Sequence, residues 1–261
     1  MKCPSFVFTS DRSVMLSPSD YRILSAGDLA LVVEFGAGID RALSARVHAL
    51  DRALIARGVP GIRETVPTFR SLMIHYEPLE IDYATLLAHI DAAAAEARVE
   101  VAGGRHWHLP ICYDGEMAPD LPEVAERVGL TGPEVVALHA STQFHVYMLG
   151  FLPGQGYLGD NPPSLILPRR ATPRLSIPAG SLAIAMGMSS IFPQVTPCGW
   201  HLIGRCPVPM WDFARSDEPL LRADDGVRFH PVKEADFHRL QRHFADRPDV
   251  LTPDAIEAVL P

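Results

Sequence analysis

The sequence predicts a small α+β domain followed by a mainly-β domain, a barrel or a sandwich. Three observations predict it. The first hundred residues read in the order ββαββα, Ala102-Gly103-Gly104 makes a linker-like break, and the second half consists of short apolar runs punctuated by Gly and Pro.

Residues 1–19 are polar, contain proline and show no periodicity, so a flexible tail is expected. Tyr21 to Gly36 reads as a hairpin turning at Gly27-Asp28. A helix follows, with Ile39, Leu43, Val47, Leu50 and Leu54 on one face, and Gly58 and Pro60 stop it. Ile62–Val66 and Ser71–Tyr76 form a second hairpin around Pro67-Thr68. A second helix over about 82–98 puts Leu86, Leu87, Ile90, Ala94 and Ala97 on one stripe. These elements define an α+β domain over 20–103.

Residues 106–113 read as a strand. Two short helices follow, each opened by a capping-box pattern, Asp120 with Glu123 and Thr131 with Glu134. Phe144 to Leu149 is a strand. Short apolar runs come next at 165–167, 175–177, 182–186, 201–203 and 208–210, and Val227 to Val232 closes the domain. The mainly-β domain is expected over 104–235, with a helical C-terminal tail over 236–261.

Composition excludes several functions. Of 261 residues, 48% are hydrophobic and 21% charged, the balance of a folded globular protein. A net charge of −8 argues against general nucleic-acid binding. No apolar run reaches membrane-spanning length, and Phe6-Val7-Phe8 is too short for a signal-peptide core. Cys3, Cys112, Cys198 and Cys206 show no CxxC spacing, so reduced thiols in a cytoplasmic protein are expected. The only lysines are Lys2 and Lys233, and neither lies in a Walker A, Schiff-base, biotinyl or Ser-Ser-Lys amidase setting.

One stretch has an unusual charge balance. Residues 161–211 contain no Asp or Glu but hold Arg169, Arg170, Arg174 and Arg205. Folded as one unit, they would present a positive surface that focuses anions. Three guanidinium groups within Pro168-Arg169-Arg170-Ala171-Thr172-Pro173-Arg174 repel one another unless an anion sits among them. Arg pairs with carboxylate through two parallel hydrogen bonds. The alternative is a solvated face with ion pairs to distant acids, and no acid is near in sequence.

Other candidates carry weaker signals. Gly154, Gly156 and Gly159 spell GxGxxG, but Asn161-Pro162-Pro163 follows where a dinucleotide site needs a helix and then an acid. The 150–159 segment is either a tight turn or a loop offering backbone donors to a ligand. His139 sits near the end of the second capped helix, where the dipole favours imidazolium and suits a general acid. A plain helix-end cap is the alternative. His106 and His108 share a strand face with Cys112 but lack a fourth ligand, so no metal is expected. Cys198 and Cys206 lack a nearby His-plus-acid partner and read as small buried or turn residues.

Together several segments resemble one family. They are Leu149-Gly150-Phe151-Leu152-Pro153-Gly154 with Tyr157-Leu158-Gly159, Pro168-Arg169 to Pro173-Arg174, Pro178-Ala179-Gly180-Ser181, Gly199-Trp200 with Leu202-Ile203-Gly204-Arg205, and Val227-Arg228-Phe229. In this order they are similar to the allophanate hydrolase subunit 1 family. That family includes the B-type subunit of prokaryotic 5-oxoprolinase and a sporulation histidine kinase inhibitor, and it is similar to part of the urea carboxylase carboxyltransferase domain. The resemblance covers about residues 20–235.

It implies an α+β N-terminal domain followed by a mainly-β cyclophilin-like barrel. It also implies partners: a second barrel subunit, of the 5-oxoprolinase C type or the allophanate hydrolase subunit 2 type, and a third protein of the A type. With them the chain would open 5-oxoproline to glutamate using ATP, holding no cofactor by itself. A catalytically silent kinase inhibitor and a carboxyltransferase-like partner of a biotin enzyme are the alternatives. The expected site takes His139 as the catalytic group. Phe151, Pro153, Gly154, Tyr157, Arg169, Arg174, Trp200 and Arg205 are expected around a small carboxylate or amide substrate, with no metal.

The chain departs from the family pattern at several positions. Gln155 stands where Phe is usual. Met188-Ser189-Ser190-Ile191-Phe192-Pro193 replaces Gln-Thr-Gly-Ile-Tyr-Pro. Cys198 interrupts Pro-Gly-Gly-Trp, and Cys206 replaces Thr.

Overall fold

A computed structural model describes residues 14–17, 20–99, 104–212, 218–246 and 251–261. It divides into two compact units, residues 1–101 and 102–261.

The first unit contains β1 (Val14–Met15), β2 (Arg22–Ser25), β3 (Ala30–Glu34), α1 (Arg41–Arg57), β4 (Ile62–Pro67), β5 (Ser71–Tyr76), α2 (Tyr83–Glu96) and β6 (Arg98–Val99). Four strands form an antiparallel sheet in the order β2-β3-β5-β4. Strand alternation turns Leu31, Val33, Leu72 and Ile74 inward, all fully buried, against Leu50 and Leu54 of α1 and Leu86 and Ile90 of α2. Asp40 caps α1 by accepting from Leu43 N–H, and Asp82 caps α2 by accepting from Thr85 N–H. Gly58, at φ 55°, ends α1 in the left-handed conformation.

The expected tail is partly structured, because β1 pairs antiparallel with β6. Residues 1–13, 18 and 19 lie outside the described residues, as do Ala102 and Gly103 of the expected linker. Gly104 is not a loose spacer. A Cβ there would fall 2.1 Å from the Asp224 carbonyl oxygen, so only glycine fits.

The second unit contains β7 (His106–Cys112), α3 (Leu121–Val128), α4 (Gly132–Ser141), β8 (Phe144–Leu149), β9 (Gly156–Gly159), β10 (Arg174–Ile177), β11 (Ser181–Ala185), β12 (Met188–Ile191), β13 (Thr196–Cys198), β14 (His201–Arg205), β15 (Gly226–Val232), α5 (Glu234–Asp246) and α6 (Pro253–Glu257). Seven strands close into a barrel in the order β11-β12-β9-β8-β15-β7-β14. Its neighbours are antiparallel except β7 and β15, which run parallel over seven residue pairs. Trp107, Leu109, Ile111, Phe144, Leu158 and Ile184 are among the side chains of the barrel core. β10 and β13 make a separate two-stranded ribbon.

Three expectations need correction here. The apolar runs at 165–167 and 208–210 are not strands. Pro162 and Pro163 lead into a 3₁₀ turn over Pro163–Leu165, and Pro209 interrupts the second run. Proline has no N–H to give a ladder. The C-terminal residues are helical but not a free tail: Phe237, Leu240, Phe244 and Ile256 are buried in the barrel core. The first capping box is also absent. Thr131 and Glu134 form theirs, whereas Asp120 makes no side-chain cap and turns elsewhere.

Candidate functional site

The arginine segment 168–174 lies on β13 and β14. His201 Nε2 donates to the Pro168 carbonyl at 3.0 Å, Arg170 N–H donates to the Gly199 carbonyl at 2.8 Å, and Arg174 pairs in register with Cys198. The acid that the segment lacks comes from fifty residues earlier. Asp120, 2% exposed, accepts from Arg174 Nη1 at 2.7 Å and Nη2 at 2.6 Å. It also accepts from Arg170 Nη1 at 3.0 Å and Leu202 N–H at 2.7 Å. Glu123 takes a further bond from Arg170 Nη1 at 3.0 Å. Burial works to raise the Asp120 pKa, but the Arg174 hydrogen bonds, the Leu202 N–H and the two guanidinium charges hold it below the usual carboxylate range.

Arg174 is thereby corrected as a substrate contact. Its forked donors are already engaged, and it fastens the segment. Arg169 differs. It is exposed, and it makes no hydrogen bond or ion pair among the described residues. Its charge is felt at Tyr157 and at Cys198, where burial raises both pKa values and Arg169 opposes the shift. Tyr157 on β9 and Phe192 both meet Trp200 edge-on, with ring centroids at 6.0 Å and 6.2 Å. One guanidinium without a partner among the described residues therefore lies within electrostatic reach of Tyr157, the half-buried edge of this aromatic cluster.

The 150–155 loop is a closed turn. Gln155 N–H donates to the Leu152 carbonyl and Gly150 N–H to the Gln155 carbonyl, at 3.1 and 3.0 Å. Pro153 and Gly154, the latter at φ 77°, occupy the centre, as a type II turn requires. A Cβ on Gly154 would fall 2.7 Å from Trp211 Cβ, so the glycine also permits close packing. Pro153 is exposed. Phe151 is 69% exposed at φ 71°, a conformation side chains other than glycine rarely adopt. Two of the backbone donors expected to meet a ligand are thus engaged within the loop.

His139 does not carry the charge its helix position suggests. Its ring is fully buried and stacks on Phe229 at 5.0 Å with an interplanar angle of 3°. Burial lowers its pKa to about 3, which outweighs the helix dipole. Ser189 Oγ donates to Asn161 Oδ1 at 3.0 Å, so His139 Nε2 donates to Ser189 at 3.0 Å and Nδ1 accepts from Tyr113 at 2.9 Å. A neutral, doubly bonded, inaccessible imidazole is a core element, and the general-acid expectation is corrected.

A pH prediction follows from that burial. Below pH 6.5 the unfolded chain binds a proton at His139 while the folded chain does not, so stability falls as pH falls. Between pH 6.5 and 5.5 the wild type should lose about 1 kcal/mol more than His139→Gln. Urea unfolding at both pH values checks this, and equal losses would remove the buried neutral imidazole as the cause.

Residues 21–221 match the family described as carboxyltransferase domain, subdomain C and D. The chain belongs to this family.

Carboxyltransferase subdomain C and D relatives include a Bacillus subtilis (strain 168) protein named as the B subunit of 5-oxoprolinase. It is 34% identical over 229 residues, covering 84% of this chain and 95% of the relative. A protein of the same name from Escherichia coli O157:H7 is 35% identical over 208 residues, covering 80% and 94%. Among solved structures, the crystal structure of TTHA0988 matches with a TM-score of 0.70 and 36% identity, covering 78% of this chain and 40% of that one. The chain therefore spans well under half the length of that neighbour. Kluyveromyces lactis urea carboxylase, at 19% identity and a TM-score of 0.69 over 92% of this chain and 26% of that one, shares the fold.

The residues that depart from the family pattern are buried. Met188 and Phe192 are 5% and 3% exposed, and Ser190 Oγ donates to the Gly156 carbonyl at 2.9 Å. Gln155 is 1% exposed, and its Oε1 has no partner among the described residues. Burial raises the thiol pKa of Cys198 and pushes that of Cys206 up to about 12, so neither is a thiolate at neutral pH. His108 lies 3.3 Å from Glu257, and His106 is exposed. Among the described residues no group of three or more His, Cys, Asp or Glu side chains is placed to hold a metal ion. No described helix is long and apolar enough to cross a membrane.

Sequence reasoning missed Asp120, Tyr113, Ser189 and Asn161. The Asp-x-x-Glu pattern disguised Asp120 as a cap. The only earlier signal was the unbalanced charge of the arginine segment, which required an acid from somewhere.

Proposed function

We propose that this chain is one component of a heteromeric, ATP-dependent 5-oxoprolinase, inactive alone, and that Arg169 binds the substrate carboxylate. The observation that carries the reading is the match, over nearly their full length, to relatives named as the B subunit of 5-oxoprolinase. The geometry supports it at one point: Arg169, without a partner among the described residues, acts by its charge on Tyr157, whose ring meets Trp200 edge-on. A planar ring with one carboxylate suits that pair. Nucleotide handling falls to the partners. Lys233 is 82% exposed and lies 3.5 Å from Asp114, away from any phosphate-cradling loop. Neutral His139 and the buried thiols supply no general base or nucleophile. A second barrel protein of the C type and a third protein of the A type complete the active assembly, in a cytoplasmic setting.

Mixing the chain 1:1 with those two proteins tests this, with glutamate release from 5-oxoproline and ATP as the readout. Turnover is expected only in the mixture, with Arg169→Ala raising KM about 10- to 100-fold through loss of a charge-assisted pair. Turnover by the isolated chain would sink the non-autonomous reading. A mixture without turnover would favour a silent binding protein.

A further inference from the structure

Four described arginines of the barrel unit are half-buried: Arg105, Arg170, Arg174 and Arg205. A half-buried guanidinium loses much of its hydration and needs an anion in return. Three of them have one. Arg105 reaches Asp225 at 2.7 Å, Arg170 reaches Asp120 and Glu123 at 3.0 Å each, and Arg174 grips Asp120. Arg205, at the end of β14, has no carboxylate partner among the described residues. Its one hydrogen bond runs from Nη1 to Met117 Sδ at 3.5 Å, and a thioether is a weak acceptor. Burial alone moves its pKa, downward, whereas the hydrogen bonds from Arg174 to Asp120 move that of Arg174 upward.

The remaining donors are placed to bind. Nε and Nη2 make no hydrogen bond among the described residues, yet they are not sealed from solvent. They form the edge of a guanidinium that meets carboxylate or phosphoryl oxygens with two parallel bonds. Gly180 lies beside the stem: a Cβ there would touch Arg205 Cγ at 3.5 Å, and its 2.5 Å approach to the Cys206 carbonyl oxygen keeps the position glycine. We propose that Arg205 is an anion-binding residue whose Nε and Nη2 edge takes the carboxylate or phosphoryl group of a small ligand, with Met117 supporting the opposite side. The assignment does not depend on the 5-oxoprolinase reading or on Arg169.

The test is thermal unfolding of the full chain, followed by tryptophan fluorescence. Trp107, Trp200 and Trp211 all lie in the barrel unit, so the signal reports that unit alone. The probes are inorganic phosphate and acetate, each compared with chloride at matched ionic strength. Phosphate also stabilises proteins non-specifically, so the difference between variants is what counts. In chloride, Arg205→Met should unfold at a higher temperature than wild type, because an unpaired half-buried charge is gone. At least one probe should raise the wild-type midpoint by about 2 °C or more beyond any rise in Arg205→Met. Arg228→Met, which removes an exposed arginine of β15 that takes no part in either site, should keep the wild-type response. The stronger of the two probes identifies the group bound. Equal shifts in wild type and Arg205→Met, no shift with either probe, or a lower Arg205→Met midpoint in chloride would each overturn the proposal. Should Arg205→Met not fold, Arg205→Lys serves: it keeps the charge but not the two-pronged edge, and a full wild-type response from it would overturn the proposal.

Discussion

Replacing Asp120 with alanine should destabilise the barrel unit by about 3 kcal/mol, at the lower end of the range for breaking a buried ion pair because its arginines are partly exposed. Three things are lost together: the forked pair to Arg174, the bond from Arg170 and the acceptor for Leu202 N–H. Arg174, with 29% of its side chain exposed, is left without a carboxylate, and Arg170 keeps only Glu123. Urea unfolding read by tryptophan fluorescence measures the loss. Adding Arg174→Met to Asp120→Ala should recover part of it, since the charge left without a carboxylate is then gone. The released segment exposes Arg169, Arg170 and Arg174 to trypsin, so cleavage there should precede cleavage elsewhere. A variant as stable and as protease-resistant as wild type would show that Asp120 does not hold the segment. The pH dependence has a definite sign. The folded carboxyl sits below its unfolded value, so its contribution is present above about pH 4 and is lost as pH falls through the folded pKa.

Asp225→Ala should have an effect of about 3–5 kcal/mol on the same unit. This carboxylate, just before β15, accepts five hydrogen bonds: from Arg105 N at 3.0 Å, Nε at 3.2 Å and Nη2 at 2.7 Å, from Trp107 Nε1 at 2.9 Å and from Arg222 N at 2.9 Å. Trp107 is 1% exposed, so its indole N–H would be left buried without an acceptor. Arg105 also lies over the Trp107 ring, 4.9 Å from the centroid, and would lose the carboxylate that holds it there. Asp225→Asn retains an acceptor oxygen and should lose roughly half as much. Denaturation of the two variants separates loss of charge from loss of the bonding hub, and equal effects would mean that charge alone matters.

How much of this was legible in the sequence differs between the two units. The hairpins and helices of the first unit follow from apolar spacing and from Asp40, Asp82 and Gly58, all of which act within a few residues. The acid-free run at 161–211 was equally visible, and it correctly required an anion for the arginines. Which anion was not visible. Asp120 lies 50 and 54 positions from its two arginines, and nothing local distinguishes it from an ordinary helix cap.

The sequence by itself determined the helices and most of the strands, the α+β-then-β order, the family and the presence of an arginine cluster without local acids. These follow from short-range periodicity, caps and motif order. Only the tertiary structure decided that Arg174 and Arg170 are engaged, that Arg169 and Arg205 are not, and that His139 is neutral. Pairing and protonation depend on burial and on partners far along the chain, and barrel closure alone brings these together.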